Sequence, residues 1–179
     1  MSENTDRRVR MTKALLRDTL AELMAQKPIS KISVKELCQK AGVNRGTFYA
    51  HYTDQYELLR QVELEVIENL KNFLAHYTDD RMPIKEGNLR GILEYARQNA
   101  DLFTVLLGEQ SFQNDLFKLV KLVPFQYETE GWEKTYILDF AISGCLSVLR
   151  KWLQEGAPEP PGEMAALVLK IIYGGLLSF

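Results

Sequence analysis

A chain of 179 residues and 20.6 kDa has room for one or two small domains. Its composition, 46% apolar and 26% charged with 11 glycines and 6 prolines, excludes a disordered or collagen-like polypeptide and supplies ample core material. The net charge of -2 conceals an asymmetry: residues 1–60 carry 11 Lys and Arg against 7 Asp and Glu, whereas residues 61–179 carry 11 against 17. A basic first third on an acidic remainder points to an anionic partner for one part only. Two cysteines, Cys38 and Cys145, are too few for a disulfide framework and fall in helical patterns. Both are expected to be reduced and buried, as in the cytoplasm. The polar first ten residues lack an apolar signal region, so no secretory leader is expected. The apolar stretch 164–179 is interrupted by Lys170 and falls short of the roughly 20 residues of a spanning helix. It reads as a core or dimer-forming helix, with no membrane partner.

The first helix is predicted over residues 7–25, where Leu16, Leu20 and Leu23 recur at i, i+4, i+7. Lys27-Pro28 ends it, because proline lacks the amide and restricts its predecessor. The run 29–34 is β-branched enough for a strand, but it has no partner run. Ser33-Val34-Lys35-Glu36 decides the matter: it is a capping box, and a second helix is predicted over 33–40. Gly42 supplies the positive φ that ends that helix, and Asn44 caps a third, over 45–51. Asp54 caps a long fourth helix, on which Leu59, Val62, Val66, Leu70, Phe73 and Tyr77 keep one continuous face. A polar break follows over 78–87, containing Asp79, Asp80 and Pro83. Further helices are predicted over 88–99, 101–107 and 110–122, with a break at 124–131. Two strongly apolar helices close the chain, over 133–155 and 162–178. On the first, Asp139, Ser143, Ser147, Arg150 and Gln154 form a narrow polar stripe. No repeat and no credible sheet is present; the fold class is all-α.

A short helix, a glycine turn and a second short helix make a helix–turn–helix over residues 33–52. The third helix is mostly polar, with Phe48 as its clear core anchor. Arg, Thr, Tyr and His on two turns are poorly explained by packing. They are well explained by a surface laid into a major groove, where Arg bonds a guanine edge and the Thr methyl touches thymine. Gly46 leaves room for close approach of the backbone to DNA.

The run Gly42-Val43-Asn44-Arg45-Gly46-Thr47-Phe48-Tyr49-Ala50-His51-Tyr52, with Ile32 to Ala41 before it and Thr53 to Leu59 after it, resembles the signature of TetR/AcrR (tetracycline-repressor-type) regulators. The resemblance covers residues 10–70 as a DNA-binding domain and implies a helical effector-binding and dimerisation domain over 71–179. It implies that Lys35 touches DNA from the second helix and that Arg45, Gly46 and Thr47, preceded by Asn44, face the bases. Tyr49, His51 and Tyr52 fall where the family meets phosphate or supports the recognition helix. Where many members carry lysine at the start of the fourth helix to meet a phosphate, this chain has Gln55. Its neutral hydrogen bond is expected to replace that DNA contact, with one counterion fewer released and a shallower salt slope. Arg7, Arg8, Arg10 and Lys13 are expected to compensate at the backbone or minor groove. More loosely, residues 148–156 and 160–164 are similar to the ending of a subgroup that includes the activator of a dihydroxyacetone kinase.

The second domain is rich in aromatic residues. As a set, Tyr95, Phe103, Phe112, Phe117, Trp132, Tyr136 and Phe140 are expected to line a pocket for a small-molecule effector; singly, each reads as core. The last two helices are apolar almost all round, which fits a core on one side and a second subunit on the other, in a four-helix homodimer interface. No metal spacing, nucleophile elbow or phosphate loop is found, so neither an enzyme nor a cofactor is expected. The functional expectation is a cytoplasmic, dimeric, ligand-responsive regulator binding a palindromic operator, a repressor in the first reading. An activator acting partly through protein contacts is the alternative.

Overall fold

The architecture follows from where helices can start and stop. In a computed structural model the chain is helical throughout residues 2–75, 84–121 and 131–176, apart from short turns, and no strand occurs among these described residues. Tyr77, Asp79, Asp80, Pro83, most of the break at 124–131 and the last predicted helical positions at 177–178 lie outside them. The chain divides into two compact units, Met1–Glu65 and Val66–Phe179.

In the first unit, α1 (Ser2–Met24) begins ahead of the predicted residue 7 and buries Leu16, Leu20 and Leu23 as its spacing requires. After Pro28 the β-branched run makes a single 3-10 turn, Ile29–Lys31, and not a strand. Helix α2 (Val34–Ala41) starts on the capping box: the Glu36 amide donates to Ser33 Oγ at 3.2 Å. It ends where Gly42 takes φ +66°, with Val43 N–H reaching back to the Cys38 carbonyl at 3.0 Å. Helix α3 (Arg45–Tyr49) is shorter than predicted, and α4 (Gln55–Ala75) follows. Ile32, Leu37, Phe48, Tyr52 and Leu58 join the α1 leucines in one core.

The second unit holds α5 (Glu86–Gln98), α6 (Ala100–Leu106), α7 (Gln110–Lys121), α8 (Trp132–Gln154) and α9 (Pro161–Ile171). A π-helical turn, Ile172–Leu176, continues α9. Helix α5 packs along α9, and α8 packs on α6 and α7. Gly156 at φ +84° and the Ala157 amide on the Trp152 carbonyl (2.8 Å) stop α8, and Pro161 opens α9, where its missing amide costs nothing. Trp152 is buried and donates its indole N–H to the Glu159 carbonyl at 3.3 Å. The α8 polar stripe is partly engaged. Asp139 pairs with Lys121 at 3.1 Å, and the Arg150 guanidinium donates to the Leu107 carbonyl at the end of α6.

Candidate nucleic-acid interface and effector cavity

The helix–turn–helix is held by local hydrogen bonds at each helix start. Lys27 Nζ sits 2.6 Å from Glu36 Oε1, and that ion pair with the Ser33 amide holds the Glu36 carboxyl below its ordinary value. Asn44 Oδ1 accepts from the Gly46 amide at 2.7 Å, capping α3. At α4 the arrangement is reciprocal: Asp54 Oδ1 accepts from the Glu57 amide at 2.8 Å, and Glu57 Oε2 accepts from the Thr53 amide at 2.6 Å. The bonds from Thr53 keep the Glu57 carboxyl below its usual range.

These caps leave α3 with one inward and several outward residues. Phe48 is fully buried, its ring 5.5 Å from those of both Tyr49 and Tyr52. Arg45, Gly46, Thr47 and Tyr49 are exposed, as are Asn44 ahead of them and Lys35 on α2. Among the described residues no acidic side chain pairs with Lys35 or Arg45, whereas Lys40 is held by Glu22 at 3.0 Å. His51 and Gln55 are half-buried. Tyr52 is buried and its hydroxyl pKa is pushed up by desolvation, so its ring braces α3 from within. A Cβ on Gly46 would stand 3.3 Å from Asn44 Oδ1, so glycine also gives the cap its room. Arg7, Arg8, Arg10 and Lys13 lie exposed on α1, a helical extension and not an extended arm. The Cys38 thiol is buried and its pKa raised by desolvation.

The second unit contains a cavity of about 160 Å³, walled by side chains of α4 to α9. Of the seven aromatic residues expected at a pocket, Phe103 lines this cavity and the other six are not among its lining residues. Packing explains the difference. Tyr95 and Phe112 meet Phe103 edge-on at 5.5 and 6.5 Å and form a core row; the Tyr95 hydroxyl also accepts from Asn69 Nδ2 at 3.0 Å. Phe117 is half-buried on α7. Trp132, Tyr136 and Phe140, one turn apart on α8, are 72%, 69% and 68% exposed. The residues that do line the cavity are aliphatic, and their spacing on α8 (Leu138, Ala141, Ile142, Cys145, Leu149) resembles that of any core face. Cys145, expected buried, is half-buried in this wall.

The first of these assemblies decides the family. The model for bacterial regulatory proteins of the tetR family matches residues 16–62, and one for a transcriptional regulator C-terminal region matches residues 86–174. The chain belongs to the tetR family. Within it, this tetR-family regulator is 22% identical over 167 residues to an uncharacterized HTH-type transcriptional regulator, YxbF, of Bacillus subtilis. That match takes in 89% of this chain and 44% of the relative, so the chain spans less than half the length of the relative. Among solved structures it is similar to a TetR transcriptional regulator from Streptococcus agalactiae 2603V, with 22% identity and a TM-score of 0.65. The alignment covers 96% of this chain and 99% of that one. It is also similar to the dihydroxyacetone kinase operon activator DhaS, with 17% identity, a TM-score of 0.60, and 94% and 97% covered. At these identities the likeness is one of fold. No helix among the described residues of this tetR-family chain is long and apolar enough to cross a membrane.

Proposed function

We propose that this tetR-family chain is a cytoplasmic, ligand-responsive regulator whose dimer sets two copies of α3 on the half-sites of a palindromic operator and represses transcription by occupying it. The observation that carries this reading is the division of α3: Phe48 anchors it while Arg45, Thr47 and Tyr49 stand outward. A helix of that kind, beside an unneutralised Lys35, has donors for base edges and charge for phosphates. On this reading residues 10–70 read DNA, while 71–179 bind the effector and dimerise. In support of dimerisation, α8 and α9 expose Trp132, Tyr136, Phe140, Leu167 and Ile171, an apolar set that a second copy would cover. Release by a ligand needs a chamber, and the cavity of the second unit supplies one. The test is selection of random duplexes on the purified chain, followed by transcription from a promoter bearing the winning sequence. Two inverted half-sites about one helical turn apart and a silenced promoter are expected. No enrichment removes the DNA-reading role; enrichment with raised transcription replaces repression by activation.

A further inference from the structure

The chemistry and extent of the cavity lining select among effectors. Among the described residues every lining side chain is aliphatic except those of Phe103, Met164 and Cys145, so none of these carries charge or a strong hydrogen-bonding head. A carboxylate, phosphate or ammonium placed inside would lose its hydration and find no partner. Tyr173, next to the lining Ile172, offers no anchor either: its hydroxyl is taken by the Ile84 backbone, at 3.2 Å to the carbonyl and 3.3 Å to the amide.

The extent of the lining bears on the size of the ligand. On α8 the lining runs from Leu138 to Leu149, three turns of helix or about 16 Å. A cavity of about 160 Å³ lined along that length of α8 has room for one alkyl chain laid along the helix. Close-packed interiors do not ordinarily keep voids of this size, and a dry aliphatic cavity of comparable volume takes up hydrocarbon.

We propose that the effector of this regulator is an uncharged molecule built on an unbranched alkyl chain, held in this cavity by burial alone. The inference rests on the ligand-responsive reading above and names the chemistry of its ligand. Recognition without a polar anchor makes affinity a function of chain length, rising about fourfold per added methylene until the cavity is full. It also makes an ionised head group a penalty.

The experiment is titration calorimetry of the full chain with hexanol, octanol, decanol, decanoate and adamantanol. Stepwise tightening from hexanol to decanol is expected, with decanoate about tenfold or more weaker than decanol and the compact adamantanol also weaker than decanol. Equal binding of decanoate, or no dependence on chain length, overturns the proposal. Ala141→Phe, which fills the cavity from α8, should abolish decanol uptake while the chain still melts cooperatively. Val168→Phe, from α9, serves if that variant does not fold; uptake unchanged in a folded variant overturns the site. Release of the selected duplex is read separately. Decanol binding without release overturns the regulatory reading, whereas release by another compound with no decanol binding overturns this inference alone.

Discussion

Phe48 and Tyr49 are consecutive residues of α3 whose rings meet edge-on, 5.5 Å apart with planes at 89°, yet the first is fully buried and the second 58% exposed. A helix turns about 100° between neighbours, so a single step takes the chain from anchor to reader. Phe48→Ala should therefore destabilise the first unit by about 3–5 kcal/mol, seen as a lower urea midpoint. Tyr49→Ala should stay within about 0.5 kcal/mol of wild type in stability and show its effect in affinity for the selected duplex. Equal stability losses would mean that Tyr49 is core.

Arg45 and Lys35 are both exposed, but the proposed interface gives them different work. Arg45→Ala should weaken the selected duplex by about 1–3 kcal/mol and relax sequence preference at one position. Lys35→Ala should weaken all duplexes alike and lower the slope of log affinity against log salt by about one. Titrations on selected and scrambled duplexes at several salt concentrations separate the two; identical profiles would remove the assignment of Arg45 to a base.

Glu57 is held below its ordinary pKa of 4.5 by its bonds from Thr53. The unfolded chain then binds the proton more readily than the folded one, so this contribution to stability is present above the unfolded value and is lost as pH falls through the lowered one. Urea midpoints measured from about pH 6 down to about pH 3 should fall for the wild type. Glu57→Gln should flatten part of that fall. An unchanged profile in the variant would mean that the reciprocal cap at α4 is not the source.

Gly42 sits at φ +66° and a Cβ there would touch nothing within 4 Å. Gly42→Ala should thus cost about 1 kcal/mol from backbone strain alone, without a steric term. Differential scanning calorimetry of the full chain should show the loss, and circular dichroism should show helix content retained.

Tyr136 and Leu167 are both exposed in the single chain, at 69% and 49%. The double variant Tyr136→Glu, Leu167→Glu should keep its fold and sediment as a monomer where the wild type sediments as a dimer. A dimer that survives both charges would place the interface elsewhere.

Much of the first unit was legible in the sequence because its punctuation is local. Ser33 with Glu36, Gly42, Asn44 and Asp54 each act on amides within a turn of themselves, and each does so in the structure. The second unit was legible as helices but not as a site. Phe112 and Phe140 are the same residue type on apolar helices, yet one is fully buried and the other 68% exposed. Periodicity reports that a face is apolar; it does not report what that face meets.

The sequence by itself determined an all-helical chain, a basic third carrying a helix–turn–helix, and the residues that cap each of its helices. Side-chain capping, glycine conformation and charge distribution are properties of short segments, so no tertiary context is needed to read them. Only the tertiary structure decided that Tyr52 braces α3 from inside, that Trp132, Tyr136 and Phe140 stand outward, and that the cavity is walled by aliphatic residues. A cavity is what packing leaves unfilled between helices distant in sequence. Its chemistry exists only once those helices are side by side.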